Sequence, residues 1–153
     1  LMLMLAEYKK AINYFNASLK IEYNQAKTHM LMGYAFKDLG QDDNAINCYR
    51  NAVNVNPEFK QGFVQLGDIF GLKEDAIAVV YYDNALQLDP TDELILYSKA
   101  MFFQSIMEWN AALEAYADLH AVNTFHSSGH YNIGFIHMEL GLYDVAANNF
   151  IIL

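Results

Sequence analysis

The side chains of this chain that could do chemistry are its histidines, its one cysteine and its adjacent carboxylates. His130 and His137 lie two helical turns apart, a spacing that could place two imidazoles on one helix face for a metal ion. The helical zinc motif with a glutamate between two closely spaced histidines is absent from the sequence. Paired carboxylates such as Asp42 and Asp43 would serve acid–base catalysis only in a cleft that gave them different environments.

The elements that must position these side chains follow one period of 33 or 34 residues. Small residues recur at Gly33, Gly67, Ala100 and Gly134. Alanines recur with the same period, and an aromatic residue follows each by four positions; the pairs are Ala11/Phe15, Ala45/Tyr49, Ala78/Tyr82, Ala112/Tyr116 and Ala146/Phe150. Self-similarity at this spacing is typical of a stacked array of helical repeats.

These residues resemble the tetratricopeptide repeat, a helix-turn-helix unit of 34 residues. The first complete unit carries the pattern as His29, Met32, Gly33, Phe36, Gly40, Ala45, Tyr49, Ala52 and Pro57. The third unit departs from it at Lys99, Leu119 and Thr124. The resemblance implies an all-α fold, a right-handed superhelix of helix pairs. It divides a single domain, 1–153, into a partial repeat 1–25, complete repeats 26–59, 60–92 and 93–126, and a partial repeat 127–153.

The period also predicts the helices and their ends. We expect helices near 6–22, 26–39, 42–55, 59–71, 74–88, 92–106, 109–122, 127–140 and 143–153, with residues 23–25 linking the first two. Gly40 should end a helix with positive φ, and Thr91 or Asp92 should cap the helix that follows Pro90. The second complete repeat is one residue short, and we place the missing residue in the turn 71–74. The small residues should let the two helices of one unit approach closely.

In this register the chemically capable side chains have structural positions. His29 and His130 take a slot that the repeat usually gives to a large aromatic residue, and His137 takes the slot of Phe36, Phe70 and Phe103. Cys48 is a small side chain on a second helix, and the carboxylate pairs stand at turns. No phosphate loop, dinucleotide glycine pattern or nucleophile elbow occurs. We therefore expect no catalytic residues, no metal site and no cofactor, and thus no enzyme.

Composition narrows the class of partner. The 153 residues are 54% hydrophobic and carry a formal net charge of −9, which argues against nucleic acid and favours neutral or basic peptides. One cysteine excludes an internal disulfide. No run of about 18 apolar residues occurs, so we expect no membrane span. The sequence starts and stops inside helical patterns, so we read it as an excerpt. We expect a cytoplasmic protein, and a periplasmic location stays open.

The resemblance implies that the first helix of each unit lines a concave groove that binds a protein or peptide. The predicted partner-binding residues are Lys27, Met30, Tyr34, Gln61, Gln65, Asp68, Tyr97, Met101, Gln104, Tyr131, Asn132, Phe135 and Met138. The Lys, Asn and Arg clamp that chaperone-binding members use for a terminal carboxylate is missing, so we expect no chaperone tail. The aromatic and thioether side chains suit an extended segment or a helix with apolar anchors.

Three interpretations of function stay open. The first is a scaffold that holds a partner in the groove. The second is structural self-assembly as a homo-oligomer through the apolar end helices, in which some groove residues would meet flanking repeats or a twofold mate. The third is a recognition module of a larger enzyme or regulator.

Overall fold

The computed structural model describes residues 2–22 and 25–151, and it is helical throughout that part of the chain. The helices are α1 (Met2–Ile21), α2 (Ala26–Asp38), α3 (Asp42–Val55), α4 (Lys60–Leu72), α5 (Ile77–Leu88), α6 (Glu93–Ser105), α7 (Trp109–Val122), α8 (Ser127–Glu139) and α9 (Tyr143–Ile151). These bounds confirm the predicted helices, with differences of a few residues at their ends. The predicted link at Tyr23 and Asn24, and the predicted end at Leu153, lie outside the described residues.

The helices pack in chain order, each against the one before it and the one after it. The pairs α2/α3, α4/α5, α6/α7 and α8/α9 form the repeat units, and α4 also contacts α6 directly. The first helices α4 and α6 therefore lie side by side. None of the helices within 2–22 or 25–151 is long and apolar enough to cross a membrane.

The recurring glycine of α2, α4 and α8 faces the recurring aromatic ring of the second helix in the same unit. A Cβ built on Gly67 would lie 2.7 Å from two carbons of the Tyr82 ring, and one on Gly134 would lie 2.7 Å from Phe150. Gly33 meets Tyr49 in the same way. The prediction that small residues allow a close approach within each unit is confirmed, because an added side chain would occupy the volume of the ring.

The core is a series of clusters that cross from one helix pair to the next. Tyr49, Leu66, Tyr116 and Leu119 are fully buried. Burying such a side chain stabilises the fold by about 1.5–3 kcal/mol. The buried thiol of Cys48 belongs to the cluster between α1 and the first complete repeat, and burial raises its pKa to about 11. The cysteine is therefore a protonated core side chain at neutral pH, as its position predicts.

The turns between the two helices of each unit share one backbone geometry. Comparing these turns shows where the second complete repeat is one residue short. Positive φ recurs at Gly40, Glu74, Met107 and Gly141, with values of 69°, 54°, 60° and 74°. Gly40 behaves as predicted. The distance from this position to the next recurring alanine is five residues in three units and four in the second, from Glu74 to Ala78. The prediction that the residue is missing from 71–74 is therefore wrong; it is missing after Glu74, where α5 begins late, at Ile77.

Asp92 is the cap of α6. Its Oδ1 accepts hydrogen bonds from the backbone amides of Leu94 and Ile95 at 3.1 and 3.3 Å. Its Oδ2 lies 2.6 Å from Nζ of Lys60, which also contacts Asp89 at 2.8 Å. One carboxylate thus caps a helix and joins the starts of α4 and α6, and the sequence left this role open between Thr91 and Asp92.

Candidate partner-binding groove

The predicted partner-binding residues all lie on the first helices α2, α4, α6 and α8, but they differ in accessibility. Six are exposed: Lys27, Gln61, Met101, Tyr131, Phe135 and Met138. Four are partly buried: Tyr34, Asp68, Tyr97 and Gln104. Three are buried: Met30, Gln65 and Asn132. As partner contacts all of them stay predictions, and the exposed set is the part that a partner could reach directly.

The three buried residues serve contacts inside the array. Met30 is 2% exposed and packs in the cluster around Tyr49 and Leu66. Gln65 and Asn132 make hydrogen bonds between neighbouring units. Periodicity places these positions on the groove side of the helix, whereas the crossing of the next helix decides how much of each side chain remains exposed.

Polar bridges join the first two complete repeats. Nζ of Lys37 on α2 donates to Oε1 of Gln65 on α4 at 3.2 Å. Nε2 of Gln65 lies 3.5 Å from Oδ2 of Asp68, one turn further along α4. Burial raises the pKa of the nearby Tyr34 phenol, so this hydroxyl stays protonated. The groove at this junction is closed by side chains that already have partners.

A second bridge joins the third complete repeat to the last unit. Nδ2 of Asn132 on α8 donates to the hydroxyl oxygens of Tyr116 at 2.8 Å and Tyr97 at 3.1 Å. The Tyr116 hydroxyl donates to Oε1 of Gln104 at 2.8 Å. Burial raises the pKa of Tyr116, so the phenol remains a donor at neutral pH. This junction is closed as well.

The junction between repeats 60–92 and 93–126, here called the middle junction, has no such bridge. Ser98 stands at the position equivalent to Gln65 and Asn132, and Gly71 at the position equivalent to Lys37 and Gln104. In the described part of the chain, no hydrogen bond from the Ser98 hydroxyl crosses to the other repeat. Both bridging side chains are replaced by small ones, so space remains between α4 and α6.

That space is a cavity of about 500 Å³, here called the middle-junction pocket. It is lined by Asp68, Gly71, Leu72, Glu74, Tyr82, Tyr97, Ser98, Met101, Phe102 and Ser105. Three of the predicted groove residues, Asp68, Tyr97 and Met101, are brought together here. A pocket with mostly apolar walls and a few polar groups is the usual form of a binding site.

Asp68 is one of the two acidic residues in the wall of this pocket, and Glu74 is the other. Its Oδ1 accepts a hydrogen bond from the Tyr82 hydroxyl at 3.2 Å. Burial raises the pKa of the Asp68 carboxyl, while the Tyr82 bond and the Lys37 charge act in the opposite direction. Among the described residues Asp68 has no ion pair, although the chain forms such pairs elsewhere, for example Lys99 with Asp83 at 2.7 Å.

An apolar strip on α8 continues the groove beyond the pocket. Tyr131, Phe135 and Met138 are 56%, 37% and 46% exposed. Tyr131 and Phe135 are equivalent to Tyr97 and Met101 in the preceding unit. The Tyr131 ring packs near Phe150 of α9, with centroids 5.8 Å apart, and this contact holds the ring in place. Rigid aromatic and flexible thioether side chains at helical spacing suit apolar anchors of a partner.

A histidine cluster between α7 and α8 was not predicted as a cluster. The rings of His120 and His130 lie 4.1 Å apart, and Nε2 of His130 contacts the carbonyl oxygen of Thr124 at 2.7 Å. Nδ1 of His126 accepts from the Gly129 amide at 3.0 Å and so caps α8. His29 and His130 are buried, as their register predicts. Equivalent positions alone could not reveal the cluster, because His120 and His126 lie outside the periodic set.

Within residues 2–22 and 25–151, no group of three or more histidine, cysteine or acidic side chains is arranged to hold a metal ion. Burial lowers the pKa of His120, and the neighbouring imidazoles of His130 and His126 lower it further. The His120 ring is therefore neutral near pH 7.

Comparison with known proteins agrees with this geometry. A family model described as a TPR repeat matches residues 33–73, which include the turn at Gly40 and the contact of Gly33 with Tyr49. This match and the curated relatives named as tetratricopeptide repeat proteins support a tetratricopeptide repeat family for the chain. It is 28% identical over 92 residues to human tetratricopeptide repeat protein 6, covering 60% of this chain and 18% of that one. It is 22% identical over 147 residues to anaphase-promoting complex subunit 3 of Schizosaccharomyces pombe, covering 95% of this chain and 22% of that one.

Solved structures show the same fold. A crystal structure of MamA superposes with a TM-score of 0.85 at 21% identity, covering 96% of this chain and 86% of MamA. YrrB, described as a TPR protein with an unusual peptide-binding site, gives a TM-score of 0.79 at 18% identity and covers 96% and 76%. The chain spans about a quarter or less of the length of the curated relatives it matches. The fold and these similar proteins support a protein-interaction scaffold.

Proposed function

We propose that this chain is a non-catalytic scaffold that holds an extended segment or a helix of a partner protein along α4, α6 and α8. The observation that carries the proposal is the middle-junction pocket together with the exposed apolar side chains of α6 and α8, which are Met101, Tyr131, Phe135 and Met138. Exposed apolar side chains on one face, next to a cavity, mark an interaction site. YrrB, a similar fold described as having an unusual peptide-binding site, supports a peptide segment as the partner.

The groove is tested by truncating two exposed apolar anchors. Met101→Ala combined with Tyr131→Ala truncates two side chains that are 38% and 56% exposed. Tyr14→Ala is the matched control, because Tyr14 is 75% exposed and lies on α1, away from α4, α6 and α8. All three proteins are used to capture partners from a lysate. The captured segment is then synthesised, and its dissociation constant is measured by fluorescence anisotropy.

The groove variant should bind the segment at least about tenfold more weakly, since a central anchor contributes more than about 1 kcal/mol. The control should bind like the wild type, and circular dichroism should show equal helicity for all three proteins. Equal binding by the groove variant and the wild type would refute this site.

Self-assembly is the second candidate, favoured by exposed apolar side chains on α9. Tyr143, Val145 and Ile151 are 69%, 44% and 80% exposed. Light scattering across a range of concentrations tests it directly. A mass that stays at one chain throughout that range would contradict self-assembly, whereas a concentration-dependent dimer that is lost in Tyr143→Ser would support it.

The chain as a recognition module of a larger protein is a further proposal. It is supported by the lengths of the curated relatives, of which this chain spans 18–26%. A catalytic or regulatory domain encoded beside it in the full-length gene would support this role.

A further inference from the structure

The shape of the middle-junction pocket follows from the two small residues that create it. Gly71 and Ser98 occupy the positions where the other junctions place Lys37 with Gln65, and Gln104 with Asn132. The apolar walls are Leu72, Tyr82, Tyr97, Met101 and Phe102. The pocket is therefore a gap in an otherwise closed row of inter-repeat bridges, and it has room for a long side chain.

The charge of the pocket has one sign. Asp68 and Glu74 line it, and no lysine or arginine does. The Asp68 carboxylate has one neutral donor, the Tyr82 hydroxyl at 3.2 Å, and a long contact with Gln65 at 3.5 Å. Lys37 faces Asp68 from α2, but its ammonium group donates to Gln65 at 3.2 Å. A partly buried carboxylate without an ion pair gains most from a cation that arrives with a ligand.

We propose that the middle-junction pocket binds a lysine or arginine side chain of the partner segment, so that the scaffold selects partners with a basic anchor. This inference rests on the proposed function, because it names the residue type that the same groove recognises. The aliphatic stem of the anchor packs between Met101 and Phe102, as the stems of long cationic side chains do on apolar surface. The cationic head pairs with Asp68 and faces the rings of Tyr82 and Tyr97.

The net charge of the chain supports the same choice. A formal charge of −9 raises the local concentration of basic segments and repels acidic ones. A neutral apolar anchor would leave the Asp68 carboxylate desolvated and unpaired, and this cost disfavours binding of such an anchor. Selection of a basic anchor therefore combines an attractive pair with a penalty against neutral competitors.

The pocket can be tested before any partner is known, with small linear probes of similar length that differ in charge. n-Butylammonium and n-butylguanidinium carry the cation, n-pentanol is neutral, and pentanoate is negative. Binding is followed by amide NMR shifts of Gly71, Ser98 and Met101. We expect saturable shifts with both cations, with dissociation constants on the order of 10 mM for ligands of this size. Pentanol should bind more weakly, and pentanoate should not bind.

Two variants of the pocket and one control complete this test. Asp68→Asn should raise the dissociation constants of both cations by about tenfold, which is the effect expected for loss of a charge-assisted contact. Asp118→Asn makes the same change of net charge at an exposed site on α7 and should leave binding unchanged. Ser98→Gln restores the side-chain type found at Gln65 and should abolish binding by filling the pocket, with amide dispersion showing that the fold persists.

Equal affinity for pentanol and n-butylammonium, no saturable shift with either cation, or an unchanged Asp68→Asn variant would each overturn the inference. The captured partner segment separates this failure from failure of the groove. If its binding depends on Met101 and Tyr131 but not on Asp68, the scaffold function stands and the basic anchor is wrong. If its binding does not depend on Met101 and Tyr131, the groove function fails, whatever the probes show.

Discussion

Replacing Gly67 by alanine tests the contact that sets the spacing of each helix pair. The new Cβ would lie 2.7 Å from Cδ1 and Cε1 of Tyr82. The ring has little freedom to move, because Tyr82 is 3% exposed and its hydroxyl donates to Asp68. Overpacking of this kind costs about 1–3 kcal/mol. Alanine also gains about 1 kcal/mol of helix propensity over glycine, so the single variant alone understates the clash.

Gly71→Ala supplies the correction, because Gly71 lies on the same helix and gains the same propensity. The Cβ of that variant would be 3.3 Å from the end of Tyr82, its hydroxyl oxygen, and 3.7 Å from Phe102. The difference in free energy of unfolding between the two variants therefore isolates the clash, at about 1–3 kcal/mol. Urea unfolding followed by circular dichroism measures it. Equal free energies of unfolding for Gly67→Ala and Gly71→Ala would refute the reasoning. Gly67→Leu should lower the free energy of unfolding further than Gly67→Ala.

Three further changes test other parts of the fold. Met107→Gly should raise the urea midpoint, because φ of 60° costs a residue with a Cβ about 1 kcal/mol; a lower midpoint would contradict this. Burial and the neighbouring imidazoles lower the pKa of His120, so the unfolded chain binds a proton that the folded chain lacks. The free energy of unfolding should therefore fall as pH drops below about 6.5, and this slope should shrink in His120→Gln. Asp92→Ala should lower the free energy of unfolding by about 1–2 kcal/mol, because it removes the α6 cap and the contact with Lys60. Asp92→Asn should lower it less, because the amide oxygen can still cap the helix. Equal losses in the two variants would assign the effect to charge alone.

The repeat register could be predicted because it depends on residues within one unit. Gly67 and Tyr82 face each other across one helix pair, and Gly40 ends its helix through its own backbone conformation. Local signals of this kind survive in a single sequence. The position of the missing residue could not be read in the same way, because Glu74 takes the positive φ of Gly40 without the glycine that would have marked it.

The binding surface could be predicted only in part, because it depends on contacts between units. Helical periodicity placed Met30 and Asn132 on the groove face, but the crossing of neighbouring helices buries both. The middle-junction pocket arises from side chains that are too short to bridge, Gly71 and Ser98. Comparing equivalent positions across the repeats would have shown Ser98 between Gln65 and Asn132. The size of the gap could not be predicted from the sequence, because it depends on how closely α4 and α6 pack.

Site-specific photo-crosslinking tests the proposed groove most directly. p-Benzoylphenylalanine is placed at Met101, at Tyr131 or, as the control, at Tyr14, and crosslinked peptides are identified by mass spectrometry. The groove predicts that one partner segment is captured from Met101 and Tyr131, at different positions along that segment, and is not captured from Tyr14. Capture from Tyr14 alone, or only of other copies of this chain, would contradict it.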